Sequence, residues 1–384
     1  MLDRSPLDHP DRGRSLSTEP TTRPATELTA PSLDRSKLRR AAWVFVVGSV
    51  AIMAVTVLVT TDDATWRGVL SFGVGLLALL LVAEFFRMLL ESLALLVLVN
   101  GTQNEKITAV EAFELTIEGF FVGQLIPISA AGVPYQGFLL TRKGVRAGWA
   151  TAVVLVKGFV PGVFFFFVLV TAIALTAMGW EGSAGTARFL SIVGPLSAVP
   201  LLFIVGSLVI MLRYPRHFDR LVDGVAGFLE RRLRGKAARK VEESRVLMEK
   251  ESHVFREALT TLGRHKRWVL FWGILLVLLA YVSEFMVAII ILRGFGYEGS
   301  MIGPLILQCL LKPVITATPT PGSLAFGEGG YIGFFAAFLP AHFVGVSLVL
   351  WRAALYFAPM FVGGLLVAKR IGRRGFTAKT PQST

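Results

Sequence analysis

Apolar residues fill this chain in long unbroken runs separated by short charged loops, and the runs predict helices that cross a membrane. Ala41–Val59, Val69–Ala83, Leu190–Leu212 and Trp268–Leu292 reach or approach the roughly 20 residues that span a hydrocarbon core of about 30 Å. A β-barrel would alternate polar and apolar positions over segments of about ten residues, and these runs are continuous. An all-α, polytopic membrane protein is the expected fold, because a backbone in lipid must satisfy its own hydrogen bonds. Two apolar stretches are broken: GQLIPISAAGVPYQG (Gly123–Gly137) and TATPTPGSLAFGEGGYIG (Thr316–Gly333). Pro removes a donor and ends a helix, and Gly permits the turn. Pro127 and Gly132 mark the first break; Pro319, Pro321, Gly322 and Gly327 mark the second. Each is followed by a cation inside another apolar run, Lys157 and Arg352. A shift of 195 positions lays Pro127 on Gly322, Gly132 on Gly327 and Lys157 on Arg352. Corresponding interrupted segments in two halves of a membrane protein point to a transport site near the bilayer midplane.

The basic loops decide what the breaks are. SKLRR (36–40) before the first run predicts an inner N-terminus, which leaves TTDDATWR (Thr60–Arg67) outside. The next run returns the chain to the inside, and TRKGVR (Thr141–Arg146) is also basic. Ala109–Leu140 between them must therefore enter and leave on the same side, as two half-helices. Residues 213–267 carry 15 Lys and Arg against 8 Asp and Glu and belong inside, as does KRIGRR (Lys369–Arg374). Met301–Leu339 is then a second re-entrant pair, opening to the outer side. The expectation is about six crossings, two re-entrant helix pairs and an inverted repeat. Its parts are a disordered cytoplasmic tail (1–37), a first membrane half (38–212), a basic cytoplasmic helical linker (213–267), a second half (268–370) and a disordered tail (371–384). Within the linker, Phe218, Leu221, Val222, Val225, Phe228, Leu229 and Leu233 recur at helical spacing. That helix reads either as part of a solvated hairpin or as a surface helix resting on anionic headgroups.

Composition narrows the chemistry. Hydrophobic residues make up 54% of the chain, too much apolar surface for a soluble domain of this size. The net charge of +13 sits mostly in loops, so it reports membrane orientation and not nucleic-acid binding. A single cysteine, Cys309, and five scattered histidines supply neither a disulfide framework nor a metal-ligand spacing. No metal and no cofactor is expected. The breaks carry no nucleophile–base pair, so an enzyme is not expected either. No cleavable signal peptide is visible, and the first run reads as a retained anchor.

Ionised groups within apolar runs cost about 2.5–3.5 kcal/mol each on insertion scales, so each asks for a partner or a function. Glu84, Arg87 and Glu91 share one helical face. They read as a self-neutralising pair with a third carboxylate near the inner interface, or as functional charges. Glu111, Glu114 and Glu118 repeat that spacing ahead of the first break and read as a solvated face or as carboxylates aimed at the broken segment. Lys157, Lys312, Glu328 and Arg352 lie deepest, and there the cations outnumber the carboxylates. One reading is a buried Glu328–Arg352 clamp of little net stability. The other is a phosphate site, with guanidinium and ammonium groups aided by half-helix N-termini at the breaks.

The residues of the second break carry a resemblance. Pro319-Thr320-Pro321-Gly322-Ser323-Leu324-Ala325-Phe326-Gly327-Glu328, followed by Arg352, Tyr356 and Pro359, resembles the PTPGG-(I/L)-G-x-x-E turn and following span of the lysylphosphatidylglycerol synthase family, in its flippase-like membrane domain. Pro127, Gly132 and Lys157 resemble that domain's first motif, and the resemblance runs over roughly residues 38–370. Ser323 and Ala325 stand where glycines are expected, Gln136 where a basic residue is common, and Lys157, preceded by Val156, where Arg is usual. The chain stops at Thr384 and looks like the stand-alone members that lack the soluble aminoacyl-transfer domain.

Together these features imply a protein of the cytoplasmic membrane, both termini inside, that translocates a phospholipid or related lipid between leaflets. Lys157, Arg352, Glu328, Lys312 and Gln136 are the candidate headgroup residues. Membrane lipids are the expected partners. Two rival functions remain: a proton-driven transporter of a small anion using Glu111, Glu118 or Glu328, and a non-transporting scaffold for a lipid-modifying enzyme.

Overall fold

The computed structural model describes residues 63–102, 106–125, 132–178, 184–213, 257–258, 260–318 and 326–377, with Val47, Ala51, Ala54, Val55, Thr320 and Ser323. Most of the first expected crossing (41–59), the linker helix at 218–233, Pro127, Pro319, Pro321 and Gly322 lie outside these residues. The described chain is all-α. In order it forms α1 (Asp63–Thr102), α2 (Ala109–Leu125), α3 (Gly132–Thr141), α4 (Ala147–Ala177), α5 (Ala184–Arg213), α6 (Arg267–Gly294), α7 (Ile302–Ala317), α8 (Phe326–Ala336), α9 (Ala341–Arg352) and α10 (Ala358–Thr377). One π-helical turn, Ala353–Phe357, joins α9 to α10, and another, Thr261–His265, precedes α6. Helix α1 is interrupted at Gly73 (φ 72, ψ 149), and its membrane-length part starts there.

Five described helices are long and apolar enough to cross a membrane: Gly73–Thr102, Ala147–Ala177, Thr186–Val209, Arg267–Gly294 and Ala341–Val367. Their outward faces carry exposed Leu81, Phe85, Phe86, Phe167, Ile173, Phe203, Trp272 and Phe361. Large apolar side chains turned outward in such number suit lipid and not water. The protein is an all-α polytopic membrane protein.

The helices repeat in the order the shift of 195 requires. Moved by that amount, Gly73–Thr102 falls on 268–297 against α6 at 267–294, and α2 on 304–320 against α7 at 302–317. The same shift puts α3 on 327–336 against α8 at 326–336, and α4 on 342–372 against α9 and α10 at 341–377. The equivalent helices α1 and α6 pack antiparallel. Ser283 Oγ donates to the Ala83 carbonyl at 2.6 Å at one end, while Gly273 meets Leu98 and Gly101 meets Val269 toward the other. Antiparallel packing of equivalent helices is the relation an inverted repeat demands. The exchange is reciprocal: α2 packs on α10, and its equivalent α7 packs on α4.

Two apolar cores result. One gathers Phe285, Ile291, Leu310, Phe334, Phe335, Leu348 and Trp351 around the second break. The other gathers Leu95, Leu98, Leu115, Leu140 and Val153 around the first. The polar groups described next lie in helices that both cores hold.

Candidate functional site

The first break is closed by backbone meeting backbone. A Cβ on Gly132, the first residue of α3, would stand 2.6 Å from the Gly119 carbonyl oxygen and 3.2 Å from Gly123 Cα of α2. Only glycine fits so close an approach. Gly119 and Gly123 were not among the expected site residues, though their i, i+4 spacing is a recognised signal for close helix contact. This packing sets α3 so that Gln136, one turn on, is buried against α2 and α4. Its Nε2 donates to the Leu115 carbonyl and to Thr116 Oγ1, both at 3.5 Å. Its Oε1 accepts from Lys157 Nζ at 3.1 Å.

Lys157, 8% exposed on α4, continues the chain of polar groups into α1. Its Nζ lies 3.4 Å from Glu91 Oε1, and Arg87 Nη1 lies 3.5 Å from Glu91 Oε2. Arg87 in turn holds Glu84 bidentately, Nε to Oε2 at 2.7 Å and Nη2 to Oε1 at 2.6 Å. The guanidinium also lies 5.2 Å from the Phe120 ring of α2. Glu84, Arg87, Glu91, Lys157 and Gln136 thus form one polar seam through α1, α4 and α3.

Lys312 of α7 pairs with Glu284 of α6, with the Tyr281 ring 5.9 Å from its Nζ. This pair adjoins the seam electrostatically: Glu284 acts on Glu84 and Arg87, and Lys312 acts on Glu91. Arg352 ends α9 and pairs with Glu328 on the first turn of α8, both side chains wholly buried. Its guanidinium lies 4.0 Å from the Tyr356 ring and 5.2 Å from Trp351, which stacks on Tyr331 at 3.7 Å. A Cβ at Gly327 would meet Arg352 Nη2 at 3.0 Å, so the α8 turn and the guanidinium are shaped to each other.

The expected surplus of cations is corrected by these pairings. Lys157, Lys312 and Arg352 each face a carboxylate, and two of those, Glu91 and Glu284, lie outside the broken segments. The physical reason is the cost of a lone buried charge, which draws in carboxylates from neighbouring crossings. Glu91 likewise belongs to the seam through its contacts with Lys157 and Arg87. Of the three carboxylates ahead of the first break, Glu111 pairs with Lys143 in the basic loop, Glu114 is half-buried, and Glu118 is buried. Hydrogen bonds from the Lys143 ammonium and from Thr108 hold the Glu111 carboxyl below the usual carboxylate range.

An apolar cavity of about 610 Å³ lies on an adjoining face of α4, between it, α5, the π turn at Thr261–His265 and α6. Val156, Phe159, Val163 and Phe164 line it from α4, and Leu270 and Ile274 from α6. Its size is that of a typical ligand pocket, and its lining is apolar throughout.

Comparison with known proteins finds membrane proteins. A family described as the lysylphosphatidylglycerol synthase TM region matches residues 38–363. A UPF0104 membrane protein of Archaeoglobus fulgidus is 24% identical over 321 residues, covering 83% of this chain and 94% of that protein. No solved structure matches the chain. With helices, breaks and match running over the same residues, the chain belongs to the family of the lysylphosphatidylglycerol synthase TM region.

Proposed function

We propose that this protein moves a lipid with a phosphate-bearing headgroup between the leaflets of the cytoplasmic membrane, with both termini on the inner side. The observation that carries this reading is the polar seam of Glu91, Lys157 and Gln136 on one face of α4, with an apolar cavity on the adjoining face. A headgroup and an acyl chain need that pairing of surfaces, whereas a free inorganic anion needs only the polar one. Lys157 and Arg87 would hold the phosphate oxygens, with Gln136 orienting the Lys157 ammonium. Lys312 and Glu284 would receive the headgroup as it crosses to the second half. Arg352 and Glu328, sealed from any ligand in the described conformation, would clamp the second break and open only in another state. No catalytic step is required of any of these groups.

A translocation assay in liposomes, with a fluorescent phospholipid quenched from outside, tests the reading. Lys157→Gln is expected to slow translocation roughly ten- to hundredfold, the size of a lost charged hydrogen bond of about 1.5–3 kcal/mol. An unchanged rate in that variant would remove Lys157 from the site. Arg352→Ala is expected to lose folded protein instead, because Glu328 would be left buried without its cation, a change worth about 3–5 kcal/mol.

A further inference from the structure

We propose that the headgroup site takes up one proton, on Glu91, each time an anionic phosphate seats on Lys157 and Arg87. The inference rests on the lipid reading above and adds to it what crosses with the lipid.

Three observations lead there. Glu91 occupies the place a phosphate would take, with one carboxylate oxygen 3.4 Å from Lys157 Nζ and the other 3.5 Å from Arg87 Nη1. These contacts are long beside the 2.6–2.7 Å bonds of Arg87 to Glu84, so Glu91 is the loosely held member of the seam. Its side chain is also 34% exposed, against 5% for Glu84, 8% for Glu284 and 0% for Glu328. Of the seam's carboxylates it is the one that a ligand or a proton can approach from outside the protein.

The third observation is the balance of charge. Glu84, Glu91 and Glu284 face Arg87, Lys157 and Lys312, three carboxylates against three cations. A phosphate diester entering with one negative charge leaves one charge in excess among buried groups. Like charges that share a desolvated site do not both stay ionised, and one of them takes a proton. The charged and titratable groups facing Glu91 are Arg87 and Glu84 on its own helix, Lys157 on α4, Lys312 on α7 and Tyr281 on α6. Among these, the carboxylate displaced from its two cations by the phosphate is Glu91 itself. One proton from solvent converts it to the neutral acid, the phosphate keeps its charge, and the sum over the seam is unchanged.

The test uses the full chain in phosphatidylcholine liposomes carrying a small fraction of fluorescent phosphatidylglycerol or, in a parallel set, phosphatidylethanolamine, with binding and translocation followed from pH 5 to pH 8. Affinity of the wild type is expected to rise by up to about tenfold per unit fall in pH, the slope of one linked proton. Glu91→Gln, already neutral, is expected to bind phosphatidylglycerol with no such slope, and Glu91→Asp to restore it. A wild type that binds without a slope overturns the proposal, as does a slope that survives in Glu91→Gln. Binding confined to phosphatidylethanolamine, which brings its own ammonium, overturns it too. A wild type that neither binds nor moves any of these lipids removes the lipid reading along with it, whereas translocation without a pH slope removes only the proton.

Discussion

Ser323 is the single non-glycine residue with positive φ among the described residues, at φ 54, and it is buried. Its N–H donates to the Thr320 carbonyl at 3.0 Å and closes the turn of the second break. A left-handed backbone costs a residue with a Cβ about 1–2 kcal/mol and costs glycine nothing, which accounts for a glycine at this place in the family pattern. Ser323→Gly is therefore expected to keep or slightly raise thermal stability in detergent. Ser323→Val, β-branched in the same backbone, is expected to lower it by about 1–2 kcal/mol; equal melting temperatures for the two variants would contradict the turn geometry. The break itself was legible from Pro319, Pro321 and Gly322, because those residues act on their own backbone. The partners of the buried cations were not. Glu91 and Glu284 sit in other crossings, and no local pattern says which carboxylate a folded bundle will bring to Lys157 or Lys312.

At the scale of elements, the two broken helix pairs were readable to within a few residues. The basic loops required Ala109–Leu140 and Met301–Leu339 to turn back, and α2 with α3 and α7 with α8 fill those stretches. What charge and hydropathy could not show is how the pairs are held. The first depends on glycine contacts between α2 and α3, and on the Lys143–Glu111 ion pair that ties the loop after α3 to the first turn of α2. The Glu111 carboxyl is held low by Lys143, so the pair stabilises the fold above the ordinary carboxylate range and loses its effect as pH falls through the lowered value. Both partners are substantially solvated, which limits the gain to less than about 1 kcal/mol. Lys143→Ala is expected to lower stability by that small amount at pH 7, with the difference shrinking as the pH falls through the lowered Glu111 value. A difference that grew toward acid pH would show that Glu111 is not the partner that matters. The crossings that follow the pairs share a further trait. The π turn Ala353–Phe357 comes immediately after Arg352, and the equivalent positions after Lys157 are 158–162, which include Pro161. Both irregularities weaken a crossing just beyond its cation, and π turns recur where function needs a helix to shift.

For the whole molecule, the two-fold relation decides which surfaces reach which side of the membrane. Equivalent helices α1 and α6 run antiparallel, so the loop that closes the first re-entrant pair and the loop that opens the second should face opposite sides. Lys143 stands in the first loop and Glu298 in the loop after α6, and both are exposed. The native Cys309 is buried at 6% exposure, so a new surface cysteine gives a clean signal against it. In sealed cells, Glu298→Cys is expected to react with a membrane-impermeant maleimide from outside. Lys143→Cys is expected to react only after the membrane is opened. Labelling of both positions from the same side would break the inverted arrangement, and with it the symmetry that places Lys157 and Arg352 in corresponding crossings. The expected pattern has a consequence for transport. A seam opening toward one leaflet through the first break and toward the other through the second lets the same fold face both sides by exchanging the roles of its halves. Glu91–Lys157 is then the partly exposed pair of one half and Glu328–Arg352 the sealed pair of the other. An inhibitor or lipid that traps the opposite state should reverse that exposure, raising hydrogen exchange in the first turn of α8 while lowering it around Glu91 in α1.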